Sequence, residues 1–363
     1  MREARPPVSS VTAESRTSID RVSVIAPMWN EAAHIVGFVA DIAAQDFLGD
    51  IELLVADGRS SDGSVGLLRA AAERAGVTLT VFDNPARWVS HALNSCIRAA
   101  KGDLIVRVDC HSRYPQDYLR RCVIASEETG VDNVGGVFVP KGRTRTERAV
   151  GIAMNSPFGG IHWTRHGSGE RVEVDTVPYG AFRAEAFKRA GLFDETLVRN
   201  QDDEFNLRLR LAGGKIVLDP AIRIFYTPRG SIARLFRQYF EYGLWKPAVM
   251  RKHGRVVSAR SLAPIAFVAS LAVLAGLAPF SATARVLLAL ELAVYVLGAL
   301  VFGALAVRAA HESWRLLPQV AACFPVFHLA YGLGMAAGWL RAALPKARSN
   351  QAGEPADVTS TRH

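Results

Sequence analysis

The chain has 363 residues, 50% of them hydrophobic, and its 43 Lys and Arg residues outnumber its 34 Asp and Glu residues to give a formal net charge of +9. This length predicts about two structural units, and the basic balance is compatible with nucleic acid, an anionic membrane or an anionic substrate as partner. Eight Lys or Arg residues and one acid, Glu241, lie between residues 229 and 260, directly before a long apolar region. That position indicates a segment held against anionic lipid and argues against a nucleic-acid-binding arm.

The cysteines and the N-terminal residues indicate a cytosolic setting. The four cysteines, Cys96, Cys110, Cys122 and Cys323, contain no C-x-x-C pair, which favours a reduced compartment. Residues 1–20 are rich in Arg, Ser, Thr and Pro and lack the apolar core of a signal peptide, so they are predicted to be disordered. We therefore expect the soluble part of the chain to remain in the cytosol.

Strands and helices are predicted to alternate along the first third of the chain. The predicted strands are 22–26, ended by Pro27, then 51–56, 77–82 and 104–108, and the predicted helices are 31–45, 62–75 with Asp62 as N-cap, and 89–100. Such alternation is typical of an α/β fold with a doubly wound, mostly parallel sheet. Asp57 and Asp109 each follow a predicted strand, so both should line the carboxyl edge of that sheet.

A short motif, Asp109-Cys110-His111, ends the fourth predicted strand. Residues i and i+2 leaving a strand point to one side, so Asp109 and His111 could hold one divalent cation that carries a diphosphate. The alternative is that Asp109 only begins a turn. Turn or cap chemistry is also the alternative for Asp57 and the preferred interpretation for Asp62. No G-x-G-x-x-G motif follows the first strand, which argues against a dinucleotide-dependent dehydrogenase. A P-loop is also absent.

Two further residues, Arg87 and Gly180, lie where a substrate could bind. Arg87 precedes the third predicted helix, where a cation could hold a diphosphate, although a solvated surface position is an equal alternative. Residues 133–139 and 174–179 predict two more strands. The second leads to Gly180, a small residue that would let an acceptor approach the backbone closely.

Residues 141–171 show no regular period and predict a mobile loop over the acceptor site. His162 and His166 lie within this loop at a spacing of four. They have neither a helical pattern around them nor an acidic third ligand nearby, so we interpret them as surface side chains rather than a metal pair.

Three apolar stretches near the C-terminus, residues 261–284, 286–307 and 316–340, are each long enough to cross a bilayer of about 30 Å. Pro318 and Pro325 in the third predict a kinked or re-entrant helix. Glu291 in the second is either functional or faces a neighbouring helix. Three spans would place the tail, residues 341–363, opposite the cytosolic part, whereas its basic residues favour the cytosolic side. The number of spans therefore stays open.

An amphipathic helix is predicted directly before these stretches. Apolar residues recur there at helical spacing among basic residues: Ile232, Leu235, Phe236, Tyr239, Phe240 and Leu244. This pattern is typical of a helix that lies in the membrane interface. The predicted organisation is a disordered N-terminus (1–20), an α/β domain (21–228), a basic interfacial segment (229–260), a membrane region (261–340) and a polar tail (341–363).

Four motifs of the chain occur in a recognisable order. They are Pro27-Met28-Trp29-Asn30-Glu31, residues 57–64, Asp109-Cys110-His111, and Gln201-Asp202-Asp203-Glu204 with Arg208 and Arg210. Together they resemble the inverting family-2 glycosyltransferases with a GT-A fold, over residues 22–242. The D-x-H variant and the stretches 199–205 and 238–246 are most similar to the ExoA type, the membrane-linked exopolysaccharide (succinoglycan) glucosyltransferases.

The resemblance implies a UDP-sugar donor and a divalent metal. The donor-binding residues that it implies are Pro27, Asn30, Glu31, Asp57 and Asp109, and Arg87 and Gly180 are added from the positions described above. The implied metal ligands are Asp109 and His111. His111 stands where the family more often has the second Asp of D-x-D. An imidazole suits Mn²⁺ better than Mg²⁺, so this departure from D-x-D leaves the identity of the metal, Mn²⁺ or Mg²⁺, open.

The resemblance also places the catalytic base in the acidic cluster. Inversion at the anomeric carbon needs a base that deprotonates the acceptor hydroxyl opposite the leaving UDP. Asp202 takes the position of that base, Asp203 is its rival, and Glu204 is expected to orient rather than to react. The alternative is a solvated first turn of a helix, where acids complement the helix dipole.

These expectations combine into one predicted function with two alternatives. The prediction is a metal-dependent, membrane-bound hexosyltransferase that adds one hexose, from UDP-glucose as first choice, to a lipid-linked oligosaccharide at a bacterial-type inner membrane. Gln238 begins no Q-x-x-R-W motif, which favours a single transfer. The alternatives are transfer onto polyprenyl phosphate, and a non-catalytic sugar-nucleotide-binding membrane protein, against which the acidic cluster argues. No nucleic-acid partner is expected, and the oligomeric state is left open.

Overall fold

The structure, a computed structural model, describes residues 19–159, 169–256 and 259–343. Within these ranges the strands are β1 (Arg21–Met28), β2 (Asp50–Asp57), β3 (Thr78–Asp83), β4 (Leu104–Arg107), β5 (Asn133–Pro140), β6 (Val172–Glu173), β7 (Ala181–Arg183) and β8 (Ile216–Tyr226). The α-helices are α1 (Ile35–Ala43), α2 (Ser64–Ala75), α3 (Val89–Ala99), α4 (Tyr118–Thr129), α5 (Arg145–Met154), α6 (Ala184–Ala190), α7 (Gln201–Leu211), α8 (Ile232–His253), α9 (Ala263–Leu277), α10 (Ala282–Ala309) and α11 (Leu317–Ala343). Contacts divide the chain into two compact units, 1–231 with 299–323, and 232–298 with 324–363.

One eight-stranded sheet, in the order β3-β2-β1-β4-β7-β5-β8-β6, organises the first unit. Strands β1 to β4 are mutually parallel, and β7 runs antiparallel to both β4 and β5. In β4, Leu104 and Val106 pack into one apolar cluster and Ile105 into another, because successive side chains point to opposite faces. The predicted α/β fold with a mostly parallel sheet is confirmed.

Two predictions about the first strands and helices need correction. Strand β1 continues through Pro27, which pairs with Ala56 of β2. The pairing with β4 extends only as far as Ile25, so the missing N–H of Pro27 interrupts no ladder on that side. The N-cap of α2 is Gly63, not Asp62; the Asp62 carboxylate instead accepts the Ser64 amide at 3.1 Å.

The second half of the first unit departs further from the predictions. The expected loop 141–171 contains α5, whose N-terminus is a capping box in which Thr144 and Glu147 satisfy each other's amides. The predicted strand 174–179 is wrong, because Tyr179 and Gly180 turn the chain with φ of +60° and +66° and the strand begins only at Ala181. His162 and His166 lie outside the described residues.

Three helical segments in the described residues are long and apolar enough to cross a membrane: Ala259–Leu277, Ala282–Ala309 and Trp314–Ala343. The predicted first span ran to residue 284, but α9 ends at Leu277, before a turn that contains Pro279. Helix α11 is continuous, with Pro325 inside it. Glu291 accepts a hydrogen bond of 2.9 Å from Ser270 of α9, and so faces a neighbouring helix. Residues 1–18 and 344–363 lie outside the described ranges.

Candidate active site

The carboxyl ends of the parallel strands bring the predicted donor residues to one edge. Met28, Asp57 and Asp83 are register partners across β1, β2 and β3. Strand β4 ends at Arg107, which pairs with Ile25 of β1. The chain then continues through Val108 to Asp109. The motifs that follow β1, β2 and β4 therefore meet at one edge of the sheet.

Two loops at this edge are tied to each other by side chains. The Asn30 amide donates to Ser60 Oγ at 2.8 Å, and Asn30 Oδ1 accepts the Ser61 amide at 2.9 Å. Asp57 accepts the Ser60 hydroxyl at 2.6 Å and its amide at 3.1 Å. These bonds hold the Asp57 carboxylate, which is buried, in a fixed orientation. Asn30 thereby joins the β1 and β2 loops.

Glu31 and His111 form a hydrogen-bonded pair beside Asp109. The distance between His111 Nδ1 and Glu31 Oε1 is 2.9 Å. Partial desolvation opposes the charged imidazole, whose side chain is 47% exposed, but the hydrogen bond to Glu31 and the nearby Asp109 charge outweigh it and raise the pKa of His111 above its ordinary value. A carboxylate that accepts from Nδ1 fixes the ring and directs Nε2 away, as in the outer shell of many metal sites.

Arg107, the last residue of β4, links this edge to helix α7. Its side chain is 8% exposed, and its guanidinium lies 3.7 Å from an Asp109 oxygen and 3.5 Å from an Asp202 oxygen. The guanidinium carbon also lies 5.2 Å from the centre of the Tyr179 ring. Burial disfavours the positive charge, but the two carboxylates outweigh it and raise the pKa of Arg107. One buried cation thus stands between the carboxylates of two separate elements.

Several buried polar atoms at the site have no hydrogen-bond partner among the described residues. They are Glu31 Oε2, Arg107 Nε, Arg107 Nη1 and Asp109 Oδ1. Arg107 Nη1 and Asp109 Oδ1 have only the longer ion-pair contacts described above. A buried polar group without a hydrogen bond is costly, because it has given up its hydrogen bonds to water. A ligand with hydroxyl and phosphate oxygens would supply both acceptors and donors at these positions.

Helix α7 presents its acidic residues in different environments. Asp202 is 41% exposed and accepts the Asp203 amide at 3.0 Å. Glu204 is fully buried, and its two oxygens accept from Arg208 at 2.8 and 2.9 Å. Arg208 also donates to the Leu192 carbonyl at 2.7 Å. Glu204 therefore anchors the helix, whereas Asp202 is the acid of this cluster that reaches Arg107.

Comparison with known proteins decides the family. A model of glycosyl transferase family 2 matches residues 23–191. The succinoglycan biosynthesis protein ExoA of Rhizobium meliloti (strain 1021) is 31% identical over 280 residues, which are 72% of this chain and 81% of that protein. The chain belongs to glycosyl transferase family 2. The predicted family, and the likeness to the ExoA type within it, are confirmed.

Two further similarities concern a second transferase and a solved structure. A transferase of Methanococcus voltae, named for adding a diacetamido-dideoxy-glucuronosyl group to dolichyl N-acetyl-α-D-glucosaminyl phosphate, is 27% identical over 64% of this chain and 74% of its own. A mannosyltransferase of Pyrobaculum calidifontis, solved with GDP-Man and Mn²⁺, superposes with a TM-score of 0.58 at 23% identity, covering 88% of this chain and 89% of that one. This likeness supports the GT-A fold.

Two side chains at the edge of this family-2 glycosyltransferase could share a metal. No group of three or more His, Cys, Asp or Glu side chains within the described ranges is arranged to hold one. Asp109 Oδ1, however, is buried without a hydrogen-bond partner, and His111 follows two residues later. Two protein ligands leave most of the coordination of Mn²⁺ or Mg²⁺ to donor phosphates and water, which suits a cation that arrives with the donor.

The remaining predicted donor residues have structural explanations as well. Arg87 is exposed and lies against the Trp29 ring, with its guanidinium carbon 5.9 Å from the ring centre. A Cβ on Gly180 would lie 2.6 Å from the Phe182 ring and 2.7 Å from Asn133 Oδ1. Both φ and packing therefore require glycine at 180. Its contact with an acceptor, and that of Arg87 with the diphosphate, stay predictions.

Replacing Glu204 with glutamine is expected to destabilise the protein by about 3 kcal/mol, because a buried ion pair loses one partner while Arg208 stays largely buried. Thermal unfolding of the purified protein measures this. The matched control is Arg98→Gln, which removes an exposed pair with Glu195 and should cost at most about 1 kcal/mol. Equal melting temperatures for the two variants would show that the Glu204 pair does not anchor α7.

Proposed function

We propose that this family-2 enzyme is an inverting hexosyltransferase that moves one hexose, from UDP-glucose as the first candidate donor, to a lipid-linked acceptor in polysaccharide biosynthesis. The observation that carries the proposal is Arg107, which lies between Asp109 at the donor edge of the sheet and Asp202 at the start of α7. An inverting transferase needs its donor contacts and its base on opposite sides of the reacting carbon. We assign Asp109 to the donor side and Asp202 to the base side, and Arg107 lies 3.7 and 3.5 Å from these two carboxylates.

The donor side is formed by the ends of β1, β2 and β4. Asp57 faces the nucleoside, and Asp109 with His111 faces the diphosphate. A divalent cation held by Asp109 and His111 would neutralise charge on the departing diphosphate. Glu31 orients His111 through the hydrogen bond of 2.9 Å. These residues bind and align the donor, and none of them is required as a nucleophile.

The acceptor side is formed by the start of α7. The acceptor hydroxyl oxygen attacks the anomeric carbon while its proton passes to Asp202, and the carbon–oxygen bond to UDP breaks with its electron pair leaving on the phosphate. The Asp202 side chain is 41% exposed, so an acceptor can reach it from solvent. The Glu204–Arg208 pair keeps this end of α7 in place.

The lipid-linked nature of the acceptor is supported by the relatives and by the C-terminal helices. ExoA is named for succinoglycan biosynthesis, and the Methanococcus voltae enzyme for a dolichyl-linked sugar phosphate. Three helical segments among the described residues are long and apolar enough to cross a membrane. The two features together favour an acceptor carried by a membrane lipid. We propose in addition that the reaction takes place at an inner membrane of bacterial type, with the catalytic unit in the cytosol.

UDP release from a panel of UDP-sugars tests this proposal. Purified protein in membranes is assayed with no acceptor, with polyprenyl phosphate, and with extracted lipid-linked oligosaccharides. We expect release only with the oligosaccharide lipids, and fastest with UDP-glucose. Release with polyprenyl phosphate alone would establish the simpler acceptor instead. No release from any donor, by protein that binds UDP, would support the non-catalytic alternative.

Replacing His111 with aspartate should shift the metal preference from Mn²⁺ towards Mg²⁺, because a second carboxylate adds a hard oxygen and a negative charge. Transfer rates in each metal, over a range of concentrations, measure the shift. Asp103→Asn, at a position on the opposite end of β4, is the control and should leave the preference unchanged. If His111→Asp is folded and active with an unaltered metal profile, His111 is not a ligand.

A further inference from the structure

Helices α8 and α11 approach each other backbone to backbone. A Cβ on Gly243 of α8 would lie 2.1 Å from the Tyr331 carbonyl oxygen of α11, and a Cβ on Gly334 would lie 2.1 Å from the Phe240 carbonyl oxygen. Only glycine permits contacts this close, as at small-residue crossings between helices. The backbones of the two helices are therefore in direct contact at Gly243 and Gly334.

The contact extends along both helices. Toward their N-terminal sides, Tyr239 is fully buried and its ring stacks on Phe327 with centroids 4.4 Å apart. Toward their C-terminal ends, Arg251 donates to the Ala342 carbonyl at 3.1 Å. Helices α8 and α11 thus run in the same direction, side by side, over the second half of α11.

The charges of α8 exclude it from the hydrocarbon core. Over its 22 residues it carries Arg234, Arg237, Glu241, Lys246, Arg251 and Lys252. It is not among the helices of the described residues that qualify as membrane spans. Ionisable side chains deep in a bilayer are costly and rare. If α11 crossed the membrane, its second half would carry the charged α8 through the bilayer with it.

We propose that α8 and α11 together form one membrane-surface element, that only α9 and α10 cross the bilayer, and that the C-terminal tail returns to the side of α8. The partner of this element is an anionic lipid surface. Exposed apolar side chains occur on both helices beside basic ones: Ile232 and Phe236 on α8, and Leu333, Trp339 and Leu340 on α11. This combination is the one that holds a helix in the interface plane.

Two independent features agree with a pair of crossings. In the first unit, Arg148 of α5 pairs with Glu312, which lies in the connection between α10 and α11. That connection is therefore on the side of α5, as crossings by both α9 and α10 require. The same location would hold if α11 also crossed, so the contact of α11 with α8 decides between two and three crossings. The tail adds Arg341, Lys346, Arg348 and Arg362. Clustered basic residues favour the cytosolic side, which is where an even number of crossings leaves them.

Cysteine labelling of the full-length chain in cell membranes tests the topology. Three variants are compared: Leu48→Cys in the exposed α1–β2 loop, Phe280→Cys in the exposed α9–α10 turn, and Ser360→Cys in the tail. The unsubstituted chain is the background control, because its four cysteines are buried. Each variant is treated with a membrane-impermeant maleimide before and after permeabilisation.

We expect Ser360→Cys to label together with Leu48→Cys, and Phe280→Cys to label from the opposite side. Tail labelling from the same side as Phe280→Cys would mean three crossings and would overturn the proposal. Labelling of all three positions from one side would also overturn it, because α9 and α10 would then not place their turn across the membrane. These readouts need no sugar transfer, so failure of the proposed topology can be distinguished from failure of the proposed reaction.

Discussion

Replacing Asp202 with asparagine should lower sugar transfer by at least about a hundredfold, the low end for loss of a general base. The amide keeps the size of the side chain and its place at the start of α7, but it cannot take the proton of the acceptor hydroxyl. Donor affinity should change little, because the donor contacts are assigned to the ends of β1, β2 and β4. Steady-state transfer and UDP-sugar binding, measured on the same preparation, separate the two effects.

Asp203→Asn is the matched control for Asp202→Asn. It makes the same chemical change one residue away, in the same first turn of α7. If Asp203 only complements the helix dipole, its loss should cost up to about 1 kcal/mol of stability and little rate. An inactive Asp203→Asn beside an active Asp202→Asn would move the base by one residue. Near-normal rates in both variants would refute a catalytic role for this cluster.

Replacing Arg107 with glutamine should also reduce transfer by about a hundredfold. Without the guanidinium, the Asp109 and Asp202 carboxylates lose the cation that holds them together, and Asp202 can shift. A displacement of the base by about 1 Å is enough for an effect of that size. Arg107→Lys should restore part of the rate, since lysine keeps the charge but lacks the planar fork. Turnover and the donor KM, determined separately, measure both variants.

Two comparisons make the Arg107 prediction specific. Arg120→Gln removes an exposed ion pair with Asp46 and should leave transfer unchanged. The double variant Arg107→Gln with Asp202→Asn should be little slower than Asp202→Asn alone, because the cation acts through the base. Full activity of a folded Arg107→Gln would contradict the role assigned to Arg107. A double variant whose loss of rate equals the product of the two single losses would contradict it as well.

The first four strands were predictable because each is an apolar run in its own right. Residues 51–56 and 104–108 carry local signals of buried strands, and the helices between them show helical spacing. Strand β7 carries no such signal, since it has three residues and forms through antiparallel pairing with β4 and β5. Helix α5 carries a local signal, the T-x-x-E pattern at Thr144, although residues 141–171 as a whole show no regular period.

The candidate site was predictable only in part for a related reason. Asp57, Asp109 and Asp202 lie in motifs that can be identified along the sequence. Arg107 interrupts an apolar strand, and nothing beside it in the sequence indicates that a carboxylate from α7 lies 3.5 Å away. Such a residue becomes recognisable only when the sheet and α7 are placed together. Its burial between two acids then distinguishes it from a strand-end arginine that reaches solvent.

The anomeric configuration of the transferred sugar tests the central claim most directly. UDP-glucose carries an α-linked sugar, so direct displacement with Asp202 as base must give a β-linked product. NMR of the isolated lipid-linked product reports this configuration, and its mass reports the number of sugars added. We predict one β-linked hexose per acceptor, with no product from Asp202→Asn. An α-linked product would contradict inversion, and with it the mechanism proposed for this site.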